Sequence, residues 1–298
     1  MTTSLNLPRA LDHLVLPVGD VTTARQRLTE LGFTVAADAC HPFGTENAWV
    51  FFADKTYIEP LGIASREECE DAARRGNVFV ARDQAYRFRR GQDGFSAIVV
   101  ATDDADADHR AFRENGMSAG DMLEFARAAK TADGQEVTAR FRLAFAADLR
   151  APDFFLFACQ RLNPLPADRA ALETHANGVV GLAEVVLSEP NPTDFQYLLQ
   201  EVFSQREVNA HSFGMDVMSA NVKVSVLNPQ GMQGFFGIRT SAHARGLRGR
   251  AIVYRVRNLA VTETYLAGNG VAFERIGNRV VVSPAPGQGA VFAFEEQA

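Results

Sequence analysis

The sequence predicts an α+β protein made of four β-α-β-β-β units that pair into two tandem domains. A short apolar run followed by a helical stretch occurs four times, beginning near Leu11, Phe95, Leu182 and Arg250. Further strand-like runs with hairpin-sized connections follow these stretches. The chain has 298 residues, of which 47% are hydrophobic and 22% charged, so it is long enough for two domains of ordinary size.

The first unit contains the clearest sequence signals. Residues 11–16 form a β-rich run, and residues 21–31 carry apolar or small side chains at helical spacing. Asp20 is placed to cap the start of this helix, and Gly32 to follow its end. The strands predicted to complete the unit are 34–37, 48–52 and 56–60.

The other three units repeat this order. The second is predicted to have a strand at 95–100, a helix at 105–115, and further strands at 122–126, 137–145 and 154–159, with a turn at 132–134. The predicted strands of the third and fourth units are 182–187, 223–227, 250–254, 279–282 and 290–294. Asn163-Pro164-Leu165-Pro166 interrupts regular structure, which places the domain boundary between 1–162 and 163–298.

Side-chain alternation assigns faces to the strands. A sheet with a helix on one face leaves its other face bare, and two such units can pair into a cupped, partly open barrel with a concave small-molecule site. Leu14 and Leu16 are expected under the helix, so His13 points into the cup. Tyr57 and Glu59 share one face of their strand.

Composition excludes several classes of protein. A net charge of −6 and a pI near 5.6 argue against nucleic-acid binding. Three cysteines without CxxC spacing indicate neither a disulfide framework nor a zinc site. The sequence has no run apolar enough for export or membrane spanning, so a cytoplasmic location is expected. Phosphate-loop, dinucleotide-loop, serine-hydrolase and His-Glu-x-x-His motifs are lacking, so no nucleotide cofactor is expected.

The repeated units, with His13 in Leu-Asp-His-Leu-Val-Leu and Glu59 in Tyr-Ile-Glu-Pro-Leu-Gly, resemble the vicinal oxygen chelate (VOC) superfamily. The stretch from His41 to Asn47, His-Pro-Phe-Gly-Thr-Glu-Asn, resembles its glyoxalase-like branch. This resemblance implies a divalent metal (Zn, Fe, Mn, Ni or Co) held by first and last strands of paired units, and bound by the substrate through adjacent oxygens. It places His13 and Glu59 as ligands. His41 opens a Gly-containing turn before a strand, which makes it either a third ligand or acid/base catalyst, or a residue that shapes the turn or the rim of the pocket.

Further polar residues are candidates for substrate binding. Thr45 and Asn47 follow His41 in the same motif, and Tyr57 shares the face of Glu59. Arg140 and Arg142 share one strand face, and they favour an acidic substrate if that face is the cup; the alternative is an exposed face. His175 either reaches a site at the domain junction or holds the turn at 177–178.

The resemblance is incomplete in the other units. The position matching His13 is Ala97 in the second unit, and residues 154–158 offer no ligand. In the second domain, Glu184 with Asn228 or Glu295 lacks an imidazole, which makes a poor transition-metal centre.

Two functions therefore stay open. One is a metal-dependent lyase/isomerase or dioxygenase acting on a small oxygenated molecule in the first cup. The other is a metal-free protein that binds or sequesters a small molecule in the same cup. The sequence also leaves open whether units pair within one chain or between the chains of a homodimer.

Overall fold

The computed structural model describes residues 7–130, 136–163 and 169–297, and its strands form two large sheets. The turn predicted at 132–134 and the segment 164–166 lie outside these residues. The described helices include none long and apolar enough to cross a membrane.

The first unit begins the first sheet. Its elements are β1 (Leu11–Pro17), α1 (Val21–Glu30), β2 (Ala39–Cys40), β3 (Thr45–Asn47), β4 (Val50–Phe51) and β5 (Tyr57–Ile63). The Asp20 side chain caps α1 by accepting a hydrogen bond from the Thr23 amide, and Gly32 follows the helix at φ +89°. The strand predicted at 34–37 is wrong. Arg25 on α1 donates hydrogen bonds to the carbonyls of Val35 and Ala36 at 3.2 and 2.6 Å, so these carbonyls are bonded to a side chain instead of a strand.

The second unit completes the first sheet after two helices that the repeat did not predict. Its elements are α2 (Arg66–Arg74), α3 (Val78–Arg90), β6 (Ala97–Ala101), α4 (Ala105–Glu114), β7 (Leu123–Lys130), β8 (Glu136–Ala146) and β9 (Phe155–Arg161). Ser65 caps α2 and Asn77 caps α3. The strand order is β2-β3-β5-β1-β6-β9-β8-β7, with β4 also paired to β5. β1 pairs antiparallel with β6, so the two units join within one chain.

The second sheet repeats this arrangement. Its elements are β10 (Val179–Ser188), a 3₁₀ helix (Pro192–Phe195), α5 (Gln196–Phe203), β11 (Asn209–His211), β12 (Gly214–Met218), β13 (Lys223–Leu227), α6 (Pro229–Phe236), β14 (Arg248–Val256), α7 (Leu259–Gly268), β15 (Glu274–Ile276), β16 (Arg279–Val282) and β17 (Val291–Glu296). The order β11-β12-β13-β10-β14-β17-β16-β15 has the same central antiparallel pair, here β10 with β14. The predicted class, α+β with tandem paired units, is confirmed.

One continuous hydrophobic core joins the two sheets. It contains Leu14, Leu16 and Ile58 from the first sheet and Leu182 and Tyr254 from the second. The opposite face of the first sheet carries a separate apolar cluster, which includes Val15, Phe79 and Phe157. Side chains alternate along β1 and β5. His13 and Val15, on either side of Leu14, therefore lie on the concave face, as do Tyr57 and Glu59 on either side of Ile58.

Candidate functional site

The concave face of the first sheet holds a small, closely lined pocket. Its polar lining comes mainly from β1 and from the 41–59 segment of the first unit, and includes His13, His41 and Glu59. The second unit contributes mostly aromatic side chains, and Phe79 of α3 also lines the cavity. The polar groups therefore meet at one side of an otherwise apolar pocket.

His13 is fixed by a buried carboxylate beside it. A register shift in the pairing of β1 with β6 occurs at Asp12, and the Asp12 Oδ2 atom lies 2.6 Å from His13 Nδ1. Asp12 also accepts two hydrogen bonds from Arg161, at 2.7 and 2.6 Å. Burial would raise the pKa of Asp12, but the bonds from His13 and Arg161 hold it below its usual range. The ionised carboxylate thus orients His13 through Nδ1–H and directs Nε2 into the cavity.

Glu59 lies opposite His13 on the same face. Its side chain is buried, and Nε2 of His13 is 3.5 Å from Oε2. The Oε1 atom accepts hydrogen bonds from Asn47 Nδ2 at 2.5 Å and Trp49 Nε1 at 3.3 Å. Burial would raise the pKa of Glu59, but these interactions with His13 and its neighbours lower it to about 2. Glu59 is therefore a carboxylate at neutral pH. Between the two carboxylates, the pKa of His13 is raised despite its burial.

His41 reaches the same carboxylate from the turn before β3. Gly44 in this turn has φ +87°, and a Cβ atom there would lie 2.6 Å from the carbonyl of Ser65. His41 Nδ1 is 2.9 Å from Thr45 Oγ1, and Nε2 is 3.8 Å from Glu59 Oε1. Burial lowers the pKa of His41 to about 4, so the imidazole is neutral at pH 7 and its Nε2 keeps a lone pair.

These three side chains match a two-histidine, one-carboxylate donor set. Each imidazole is held at Nδ1 by a hydrogen-bond partner, as is usual for metal-bound histidines. Donors that share an ion at about 2.1 Å are at most about 4.2 Å apart, and the 3.5 and 3.8 Å separations satisfy this limit. Among the residues that the structure describes, however, no group of three or more His, Cys, Asp or Glu side chains is already arranged to hold a metal ion. The donor types fit a divalent ion, while the present spacing is that of a hydrogen-bonded cluster.

The structure brings most of the predicted site residues together. Tyr57 stacks on His13 with ring centroids 4.4 Å apart, and its hydroxyl accepts a hydrogen bond from Arg161 at 3.1 Å. Thr45 and Asn47 are fully buried against His41 and Glu59. Within the described part of the chain, Asn47 Oδ1 is buried without a hydrogen-bond partner.

Arg140 and Arg142 do not reach the cavity. Phe141 and Leu143 of β8 line it instead, so the two arginines lie on the other face of the strand. Arg142 forms ion pairs with Asp106 at 2.6 Å and with Glu124 at 2.9 Å. The substrate-binding alternative for these arginines is therefore wrong and the exposed-face alternative agrees with the structure, because alternation groups residues by face but does not say which face is concave.

His175 also lies away from the cavity. Its Nδ1 accepts a hydrogen bond from the Thr34 amide at 3.0 Å, and its Nε2 donates to the Phe51 carbonyl at 2.9 Å. Both ring nitrogens are thus used in joining the segment before β10 to the first unit. The substrate-binding alternative does not agree with the structure. In the turn predicted at 177–178 it is the His175 carbonyl that accepts a hydrogen bond, from the Gly178 amide at 3.0 Å, while the side chain bonds to the first unit.

Sequence reasoning missed Arg127, which lines the cavity from β7. The predicted strand ended at residue 126, whereas β7 continues to Lys130. The signal was present in the alternation of Leu123, Phe125 and Arg127, all of which share one face.

The concave face of the second sheet is an open groove with different chemistry. Glu184 occupies the position of His13 there and is bonded to Lys223 at 3.0 Å and to Arg279 at 2.6 Å. The ladder position equivalent to Glu59 is Ser225, since Val186 pairs with Ser225 as Val15 pairs with Glu59. Asn228, one predicted ligand, instead caps α6. The other, Glu295, forms an ion pair with Arg279 at 2.8 Å.

Comparison with known proteins supports the fold. A family model described as a glyoxalase-like domain matches residues 11–203, which include the whole first sheet and the start of the second. A search of curated proteins finds no match.

Solved structures with the same architecture were also found. A hypothetical protein from Staphylococcus aureus has a TM-score of 0.67 and 12% identity, with 96% of this chain and 99% of that chain covered. A mutant of 4-hydroxymandelate synthase from Streptomyces coelicolor has a TM-score of 0.62 and 14% identity, covering 97% and 93%. The Mn(II)-bound glyoxalase from Novosphingobium aromaticivorans has a TM-score of 0.54 and 12% identity, covering 97% and 83%. At these identities the likeness concerns the fold alone.

Proposed function

The chain belongs to the glyoxalase-like domain family, and from this premise we propose that it is a metal-dependent enzyme of the lyase/isomerase or dioxygenase type. Its substrate is a small oxygenated molecule held in the cavity of the first sheet. The observation that carries the proposal is the approach of His13 Nε2 and His41 Nε2 to the Glu59 carboxylate inside that cavity.

His13, His41 and Glu59 are the residues that would hold the ion. When bound, a divalent ion supplies Lewis-acid stabilisation of negative charge on substrate oxygens. Asp12 keeps a proton on His13 Nδ1, so Nε2 is the atom that would bind an ion, in exchange for the proton that Glu59 favours there. Trp49 and Asn47 orient Glu59, and the surrounding aromatic side chains exclude water, which strengthens every electrostatic interaction in the cavity.

His41 has a second role available in the same position. Its pKa of about 4 makes it a neutral imidazole at pH 7, able to accept a proton at Nε2. Thr45 holds Nδ1 and so fixes the direction of Nε2. His41 therefore serves either as third ligand or as general base, as its place in the sequence motif implied.

A metal-free binding protein is the second candidate, and one observation favours it. The positions in the second unit that match His13 and Glu59 are Ala97 and Phe157, which offer no donor atoms. The cavity would then hold its ligand by aromatic packing and by the polar groups already described.

Metal analysis separates the two candidates. We expect about one divalent ion per chain in protein purified from metal-supplemented cells, measured by plasma mass spectrometry. His13→Ala and Glu59→Ala are expected to lose the ion, because each removes one of three donors. His211→Ala is the matched control, since His211 is an exposed imidazole in the groove of the second sheet.

Two results would contradict the metal-dependent proposal. One is wild-type protein that takes up no Zn, Fe, Mn, Ni or Co even when these ions are added. The other is a bound ion that survives both His13→Ala and Glu59→Ala. Either result, with the cavity still binding small molecules, supports the metal-free alternative.

A further inference from the structure

The cavity contains a buried cation that its carboxylates do not neutralise. Arg127 is 8% exposed, and its Nε and Nη1 atoms are buried without hydrogen-bond partners among the described residues. The guanidinium carbon lies 3.9 Å from the centre of the Trp49 ring. A guanidinium is always charged in proteins, so Arg127 brings a fixed positive charge to the cavity wall.

Burying such a charge without a partner is costly. The face of Trp49 compensates in part through a cation–π interaction, but it provides no hydrogen-bond acceptor to the N–H groups. Arg140 and Arg142, by contrast, lie on the outer face, and Arg142 has two carboxylate partners there. Unsatisfied N–H groups at a cavity wall indicate a place for an acceptor that the ligand supplies.

Neither neighbouring carboxylate satisfies Arg127. Asp12 forms a two-bond pair with Arg161, so these two charges cancel. Glu59 accepts hydrogen bonds from two other side chains and makes no ion pair with Arg127 within the described residues. A divalent ion on the proposed ligands would add two further positive charges. The electrostatics of the cavity therefore favour an anionic ligand.

The remaining wall restricts the body of that ligand. Phe43, Phe79, Phe125 and Phe141 present aromatic rings to the cavity. Burial raises the pKa of the Cys159 thiol to about 12, so this side chain lines the cavity as a neutral group. The polar contacts available to a ligand are thus confined to Arg127 and to the cluster around Glu59.

We propose that Arg127 is the anion-binding residue of this cavity, and that the substrate is a small carboxylate with a flat, apolar body. The inference rests on the proposed function in taking the first cavity as the active site. The carboxylate accepts hydrogen bonds from the Arg127 guanidinium, and the body packs among the phenylalanine rings. An acidic substrate was predicted from Arg140 and Arg142. It is still expected, but the residue that would bind it is Arg127.

Benzoate binding tests the proposal, with benzamide as the neutral ligand of the same shape. Trp49 is the single tryptophan of the chain and lies beside Arg127, so its fluorescence reports occupancy of the cavity while calorimetry gives the affinity. We expect benzoate to bind wild-type protein about 10-fold more tightly than benzamide. Arg127→Gln should lose this preference, Arg127→Lys should keep part of it, and Arg142→Gln should match wild type.

Separate outcomes distinguish this inference from the metal-dependent function. Titrations are run on metal-loaded protein, on chelator-treated protein and on Glu59→Ala. Benzoate binding that needs Arg127 but persists without metal supports the anion site even if the metal proposal fails. The inference is overturned if wild-type protein does not prefer benzoate to benzamide, or if folded Arg127→Gln binds benzoate as wild type does. If Arg127→Gln does not fold, the relative affinities of wild-type protein for benzoate and benzamide still test the proposal, because equal affinities would overturn it.

Discussion

His175 should make the stability of the protein depend on pH in a window that the structure defines. The imidazole is 7% exposed and uses Nδ1 to accept from Thr34 and Nε2 to donate to Phe51. Burial lowers its pKa from 6.5 to about 4, and the bond to the Phe51 carbonyl offsets this only in part. Protonation would place a hydrogen on Nδ1, and Nδ1 could then no longer accept the hydrogen bond from the Thr34 amide.

The direction of the effect follows from proton linkage. Above pH 6.5 the imidazole is neutral in the folded and the unfolded chain, so it causes no pH dependence. Between pH 6.5 and about 4 the unfolded chain binds a proton that the folded chain does not, and the free energy of unfolding decreases as pH falls. The loss from this one group is about 2 kcal/mol at pH 5 and about 3 kcal/mol below pH 4.

Urea unfolding of wild type and His175→Gln between pH 7.5 and 5 measures this loss. Glutamine does not titrate, and its amide can both donate and accept hydrogen bonds. We expect wild type to lose about 2 kcal/mol more than the variant over this range. The same substitution at the exposed His243 controls for removal of an imidazole. Equal decreases in the free energy of unfolding of wild type and His175→Gln as pH falls would refute the reasoning.

Three further substitutions test packing and charge. Tyr254→Phe should raise the free energy of unfolding by about 1 kcal/mol in urea titrations, because this buried hydroxyl lacks a partner in the described ranges; a loss of stability would contradict this. Gly32→Ala should lower it by about 1–3 kcal/mol, since φ is +89° and the added Cβ would lie 2.8 Å from Asn177 Cβ; an unchanged melting temperature would contradict this. Arg142→Ala should leave the free energy of unfolding nearly unchanged, since water screens its exposed pairs with Asp106 and Glu124; a clear loss in the same titrations would argue against a surface role.

Regular alternation explains why much of the first cup was predictable. Side chains along a strand point to opposite faces, so assigning Leu14 to the helix side also assigned His13 to the cup. Tyr57 and Glu59 followed by the same rule. The four-fold repeat likewise predicted the central strands of both sheets, because each copy buries an apolar run between its helix and its neighbours.

The errors arose where long-range partners decide the outcome. Residues 34–37 have the composition of a strand, but Arg25 occupies two of their carbonyls. His175 bonds to Thr34 and to Phe51, which lie over a hundred residues away in sequence. Helices α2 and α3, like α6 at the same place in the second sheet, lie in the connection between two units, so the repeat of the units themselves carried no information about them.

The central claim is that the cluster of His13, His41 and Glu59 is the metal centre and that the groove of the second sheet is not. Anomalous diffraction from crystals soaked in Mn²⁺ tests it most directly. The account predicts one strong peak bonded to His13 Nε2 and a Glu59 oxygen. A peak in the groove around Glu184, or no peak between His13 and Glu59 at full Mn²⁺ loading, would contradict it.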